Sequence, residues 1–174
     1  MGPAPQADAA SDPHVVALTR LFRSHPAWCA AAAHIAEGST SGVWFLHRPG
    51  EPWHLVRERD ETWLRPGPAA HPDFVFRFSP ASIRQLEQAG DRVGDFAVRL
   101  FELMLEAEPE RQVGFRIVAG MTRLLRRGYV GLLLSSGPRV AALAARNGVT
   151  GLASLRRLVN SLRRSEPWDW EVAT

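Results

Sequence analysis

The spacing of apolar positions changes several times along the chain, and each change marks an element. Val15, Leu18, Leu21 and Phe22 recur at helical spacing. Ser11-Asp12-Pro13 precedes them as a helix start: capping side chains, then a proline where its missing N–H costs nothing. Pro26 breaks or kinks this helix, and a second helical piece over 27–37 ends at Gly38. The period then shortens to two. Residues 42–47 and 53–57 read as strands joined by a turn over 48–52, and 62–64 as a short third strand. Residues 73–78 alternate most clearly: Phe74, Phe76 and Phe78 point one way, Val75 and Arg77 the other.

Helical spacing returns after Ser79-Pro80, which caps a short helix over 81–88 ended by Gly90. Residues 93–107 form a strongly amphipathic helix carrying Phe96, Leu100, Phe101, Leu103 and Met104, and Pro109 closes it. Residues 113–118 alternate again, with Val113, Phe115 and Ile117 on one face, up to Gly120. The stretch 121–164 is helical, with breaks at Gly128, Gly137-Pro138 and Gly148. Helices, four strands, helices, one more strand, then helices again predict an α+β layer of sheet and helix. One domain spans 11–164, between a disordered tail over 1–10 and an irregular tail over 165–174.

Composition adds little to this picture and removes several alternatives. The chain has 174 residues and is 45% hydrophobic, enough for one domain with a real core. Its formal charge is only +3 although its pI is near 10.3. The reason is that all 21 basic residues are Arg, which stays protonated far above neutral pH. A single cysteine, Cys29, excludes a disulfide within the chain; in an Ala-rich helix it is expected to be a small buried hydrophobe. No secretory signal and no unbroken apolar run of membrane-spanning length is visible, so a cytoplasmic location is expected.

The order of these elements and their punctuation resembles the sterol carrier protein 2 (SCP2) family of lipid-binding domains. The residues that carry the resemblance are Gly42-Val-Trp-Phe-Leu and Trp53-His-Leu-Val-Arg, which look like that family's opening hairpin. Pro66-Gly67 follows, then His71-Pro-Asp-Phe-Val-Phe-Arg-Phe-Ser-Pro-Ala-Ser-Ile-Arg-Gln-Leu86 as a strand-to-helix unit, and Val113-Gly-Phe-Arg-Ile-Val-Ala-Gly120 as the last strand. The resemblance covers about residues 40–135. The chain departs from the pattern in its long helix over 93–107 and in Met121, where the family usually has an acidic residue. It is read as a divergent member.

The resemblance implies a mostly antiparallel five-stranded sheet covered by helices, with an apolar tunnel between the layers. It further implies non-catalytic binding of a lipid, fatty acyl chain or sterol-like molecule. On that implication Phe76, Phe78, Phe96, Leu100, Phe101, Met104, Phe115, Ile117, Leu124 and Leu132 are the expected cavity residues. Without it, such apolar positions read as plain core.

No motif for catalysis or for a cofactor stands beside this. His47 and His54 flank one turn and could face each other, but no Cys or acidic cluster at matching spacing completes a metal site. Glu102 and Glu106 share the polar side of a helix and read as solvated. No Gly-rich phosphate loop is present. The chain is therefore expected not to be an enzyme and to need no cofactor. Arg156, Arg157, Arg163 and Arg164 repeat at seven-residue spacing opposite Leu152, Leu155, Val159 and Leu162. That basic amphipathic helix could meet an anionic membrane surface or a protein partner. Nucleic-acid binding through it stays open as an alternative. No strand interleaves Arg with exposed aromatics to support it. A second alternative is an accessory protein holding a partner enzyme that works on lipophilic substrates.

Overall fold

A computed structural model describes residues 12–148 together with 153, 154 and 157. Helices α1 (Pro13–Ser24) and α2 (Pro26–Ala32) lead into strands β1 (Thr40–Phe45), β2 (Arg48–Glu58), β3 (Glu61–Pro66) and β4 (Phe74–Phe78). Helices α3 (Pro80–Glu87) and α4 (Val93–Leu105) follow, then β5 (Val113–Ile117) and helices α5 (Met121–Arg126), α6 (Tyr129–Ser135) and α7 (Pro138–Arg146). The five strands form one sheet in the order β3-β2-β1-β4-β5. The α+β class with a five-stranded sheet is as expected. Pairing is antiparallel throughout except between β1 and β4, which run parallel, so the sheet is mixed. The parallel pair follows from the long connection through β2 and β3, which returns the chain to the start of β1.

Pairing and alternation sort the sheet into two faces. Phe76 lies opposite Val43 and Phe115, and Phe78 opposite Phe45 and Val113. Val43 lies opposite Trp53, and Leu55 opposite Ser41 and Leu64. All these residues therefore share one face. Val15, Leu18, Leu21 and Phe22 of α1, Ala27 of α2, Ile83 and Leu86 of α3, and Phe96 and Leu103 of α4 cover it as one core. Phe22 meets Trp28 at 4.6 Å and Phe78 at 6.2 Å between ring centroids. The opposite face carries Gly42, Trp44, Val75, Arg77, Gly114 and Arg116, of which all but the two arginines are buried.

Local chemistry sets the element ends. Asp12 caps α1 by accepting from the N–H groups of His14 and Val15, with Pro13 at the first helical position. Ser79 and Ser82 form a reciprocal capping box on α3, both fully buried. Gly128 adopts a left-handed φ of +83° between α5 and α6. A side chain there would meet the His34 carbonyl oxygen at 1.9 Å, so the α5–α6 joint approaches the segment after α2 as only glycine allows.

Three expectations need correction. Residues 48–52 are not a hairpin turn. The turn is Leu46-His47, because Phe45 already pairs with Arg48, and the pairing resumes at Val43 with Trp53. Residues 49–52 bulge out between those pairs, where Pro49 and Pro52 need no ladder N–H. The second helix stops at Ala32 rather than 37, in a short turn before Gly38. Cys29 is exposed rather than buried, its Sγ 3.4 Å from the Arg23 carbonyl oxygen. In so short a helix Ala27, Ala31 and Ala32 take the buried face and turn Cys29 outward. The tails over 1–10 and 165–174, and Arg156, Arg163 and Arg164, lie outside the described residues. Arg157 is helical and exposed.

Candidate functional site

Strands β4 and β5 carry three phenyl rings that the helical layer leaves partly uncovered. Phe74, Phe76 and Phe115 are each only half-buried, although Phe78 and Val113 on the same face are fully enclosed. Register brings them together: Phe76 lies directly opposite Phe115 and one step from Phe74. Phe74 and Phe115 stack at 5.4 Å and Phe76 and Phe115 approach to 5.2 Å. Phe76 in turn stacks on Phe78 at 5.8 Å, so the strip is anchored in the main core. At its other end the Tyr129 ring meets Phe74 edge-on at 4.7 Å.

The strip joins two apolar clusters. Phe76, Leu100 and Met104 pack as half-buried residues on the main core. Phe74, Phe115, Met121 and Tyr129 pack on a smaller cluster of Ile117, Ala119 and Leu124. Of the ten cavity residues expected from the sequence, Phe76, Phe78, Phe96, Leu100 and Met104 thus belong with the first cluster. Phe115, Ile117 and Leu124 belong with the second. Phe101 and Leu132 are half-buried on α4 and α6. Two open clefts, of about 350 and 270 Å³, lie elsewhere, along α3, α4 and the start of α7. Polar residues such as Gln85, Asp95, Arg99 and Arg139 line the first, and none of the ten expected residues lines either.

A polar network closes the strip at the Tyr129 end. The Asp73 carboxylate is fully buried. It accepts from the Arg127 guanidinium at 2.9 Å and the Tyr129 hydroxyl at 3.0 Å. The Arg123 Nε lies 2.7 Å from its other oxygen, a close ion pair that lacks hydrogen-bond alignment. Burial and the neighbouring Asp73 charge push the Tyr129 phenol well above its usual range, so it stays a neutral donor. Arg123 also donates to the His71 carbonyl, and Arg127 to that of Gly38. The network clasps α5 and α6 to the start of β4. The sequence shows Asp73 and the arginines only as separate features, more than forty residues apart. The signal it offers is an acidic residue directly before an apolar strand, where no turn requires one.

The two histidines do not face each other across a hairpin. His47 sits in the two-residue turn, with Nε2 2.9 Å from Asp12 Oδ2, whereas Nδ1 of His54 lies 2.9 Å from the Gly67 carbonyl. Among the described residues no group of three or more His, Cys, Asp or Glu is placed to hold a metal ion. No described helix is long and apolar enough to cross a membrane.

No family model matches the chain, and no curated protein matches it. Among solved structures it is similar to a UbiJ-SCP2 ubiquinone synthesis protein. The TM-score is 0.42 at 13% identity, over 76% of this chain and 93% of that one.

Proposed function

We propose that this protein binds a hydrophobic small molecule, fatty acyl or sterol-like, on the Phe74–Phe76–Phe115 strip and does not transform it. The observation that carries this reading is the incomplete covering of three phenyl rings in mutual contact, on β4 and the edge strand β5 of an otherwise largely enclosed sheet face. Apolar area removed from water contributes about 25 cal/mol per Å², so a chain laid across several rings gains several kcal/mol without any charged contact. Half-buried Leu100 and Met104 are adaptable neighbours for a flexible ligand. Non-catalytic binding fits the chemistry of the strip, whose polar neighbours, Asp73 and Tyr129, are engaged with arginines and with each other.

A fluorescent fatty acid should bind at micromolar concentration. Leu100→Trp or Phe101→Trp should weaken it by filling the approach to the strip, with the melting temperature unchanged within a few degrees. If no fatty acid, acyl-CoA or sterol-like probe binds at that level, the carrier reading fails. The protein is then better described as an accessory module that holds a partner, for which the exposed Leu105 and Leu125 supply apolar contact. Ionic strength separates these readings from contact of Arg156, Arg157, Arg163 and Arg164 with anionic membrane or nucleic acid. Phosphate contacts weaken steeply with salt and apolar ones do not.

A further inference from the structure

Among the described residues, two charged side chains are buried: Asp73 and Arg57. Asp73 is met by two arginines and a tyrosine. Arg57 has no comparable answer. Its side chain is 9% exposed, and its Nε has no hydrogen-bond partner. Its ion partner, Asp60, stands 3.8 Å from NH2, beyond hydrogen-bond distance, and is itself fully exposed to solvent. The Nε–NH2 edge is the one that takes a carboxylate in two parallel bonds. A guanidinium Nε held out of water without a partner is costly, and an anion brought to that edge recovers the cost.

Its place in the sheet gives the edge a use. Register sets Arg57 opposite Thr62 on β3, and its N–H donates to the Ser39 carbonyl. Alternation along β2 puts Trp53, Leu55 and Arg57 on the helix-covered face, the face of the phenyl strip. Thr62 stands directly across the ladder from Arg57. Trp28 Nε1 donates to the Thr62 hydroxyl. Arg57 thus stands in a polar row at the end of an apolar face. It is two strands from β4, or roughly 10 Å, and below the level of Phe74.

Resting on the binding reading above, we propose that Arg57 receives the carboxylate of a long-chain acid whose apolar part lies on the Phe74–Phe76–Phe115 strip. The ligand class is then an anionic amphiphile, not a neutral sterol-like molecule. Phe74 and Phe76 set the path of the chain, and Arg57 sets its polarity.

The test compares a long-chain fatty acid with the alcohol of equal length, by calorimetry on the full chain at pH 8 and moderate salt. The wild type should bind the acid roughly tenfold or more tightly, the usual effect of a charge-assisted hydrogen bond. Arg57→Gln should bind the two alike, with affinity for the alcohol unchanged. Asp60→Asn should keep the preference for the acid. Equal binding of acid and alcohol by the wild type overturns the Arg57 assignment and leaves the binding reading standing. Failure of both probes overturns both readings. Loss of the preference in Asp60→Asn but not in Arg57→Gln also overturns it. Should Arg57→Gln not fold, the wild-type comparison decides alone, and loss of its acid preference at a pH low enough to protonate the acid supplies the second measurement.

Discussion

At the start of α1 the Asp12 carboxylate caps the helix and also meets His47 at 2.9 Å and Arg48 at 3.3 Å. Burial alone would raise its pKa. The bonds from His47, from the N–H of His14, from Arg48 and from the N–H of Val15 outweigh this and hold it at about 2, against an ordinary 3.8. A carboxylate whose folded pKa is depressed contributes stability that is fully present above its unfolded pKa and lost as pH falls through the folded one. Here that window runs from about pH 4 down to about pH 2. Asp12→Asn, which keeps a capping side chain, should cost about 1–2 kcal/mol in urea unfolding at pH 6. The gap from wild type should close towards pH 2. A gap that does not change with pH would show that the charge contributes nothing. Asp73 is a different case, because two cations depend on a carboxylate with no access to water. Asp73→Asn should cost about 3–5 kcal/mol, since it leaves partly buried guanidinium groups uncompensated. Tyr129→Phe, which removes one bond to that carboxylate, should cost about 1–2 kcal/mol. Thermal melts of the two variants would reverse this ranking if the network were incidental.

At the scale of elements, the strands were legible where their period was clean. Phe74, Phe76 and Phe78 share the helix-covered face with Val75 and Arg77 opposite, as alternation requires. The helix ends signalled by Ser79-Pro80, Gly128 and Gly137 stand where those residues place them. Proline misled at 48–52, because a bulge frees backbone N–H groups from the ladder as fully as a turn does. Only the partner strand reveals which is present. Neither Arg57 nor the Asp73 clasp could be read from local sequence. Burial of an arginine depends on which helix covers its face, and the clasp joins residues on separate elements. The α5–α6 joint offers a direct test at this scale. Gly128→Ala adds a Cβ that would sit 1.9 Å from a carbonyl oxygen, at a φ that L residues avoid. It should destabilise by more than about 2 kcal/mol. Gly38→Ala also has a positive φ but open space around it, and should cost about 1 kcal/mol. Similar losses at both sites would mean that strain alone, not close docking of the joint, sets the effect.

For the whole molecule, two apolar clusters of unequal size share one sheet. The larger takes residues from α1 to α4 together with all five strands, and the smaller rests on Ile117, Ala119 and Leu124. Three buried residues and four partly buried neighbours give α5 and α6 a smaller apolar anchor than the main core has. The Asp73 network and the bond from the Ala36 N–H to the Arg127 carbonyl supply the rest. The molecule is therefore expected to open in order. Native-state hydrogen exchange should find the slowest amides in β1 and β4, the paired central strands, with α5 and α6 less protected. Asp73→Asn should speed exchange in α5 and α6 by two orders of magnitude or more, the factor that about 3 kcal/mol sets, and leave β1 and β4 nearer their wild-type rates. Because Tyr129 and Met121 border the phenyl strip, the same opening should speed both entry and exit of a bound fatty acid while changing its equilibrium affinity less. If exchange rises equally in the central strands and in α5–α6, the two clusters unfold as one unit. The clasp is then a pillar of global stability rather than a hinge on the binding strip.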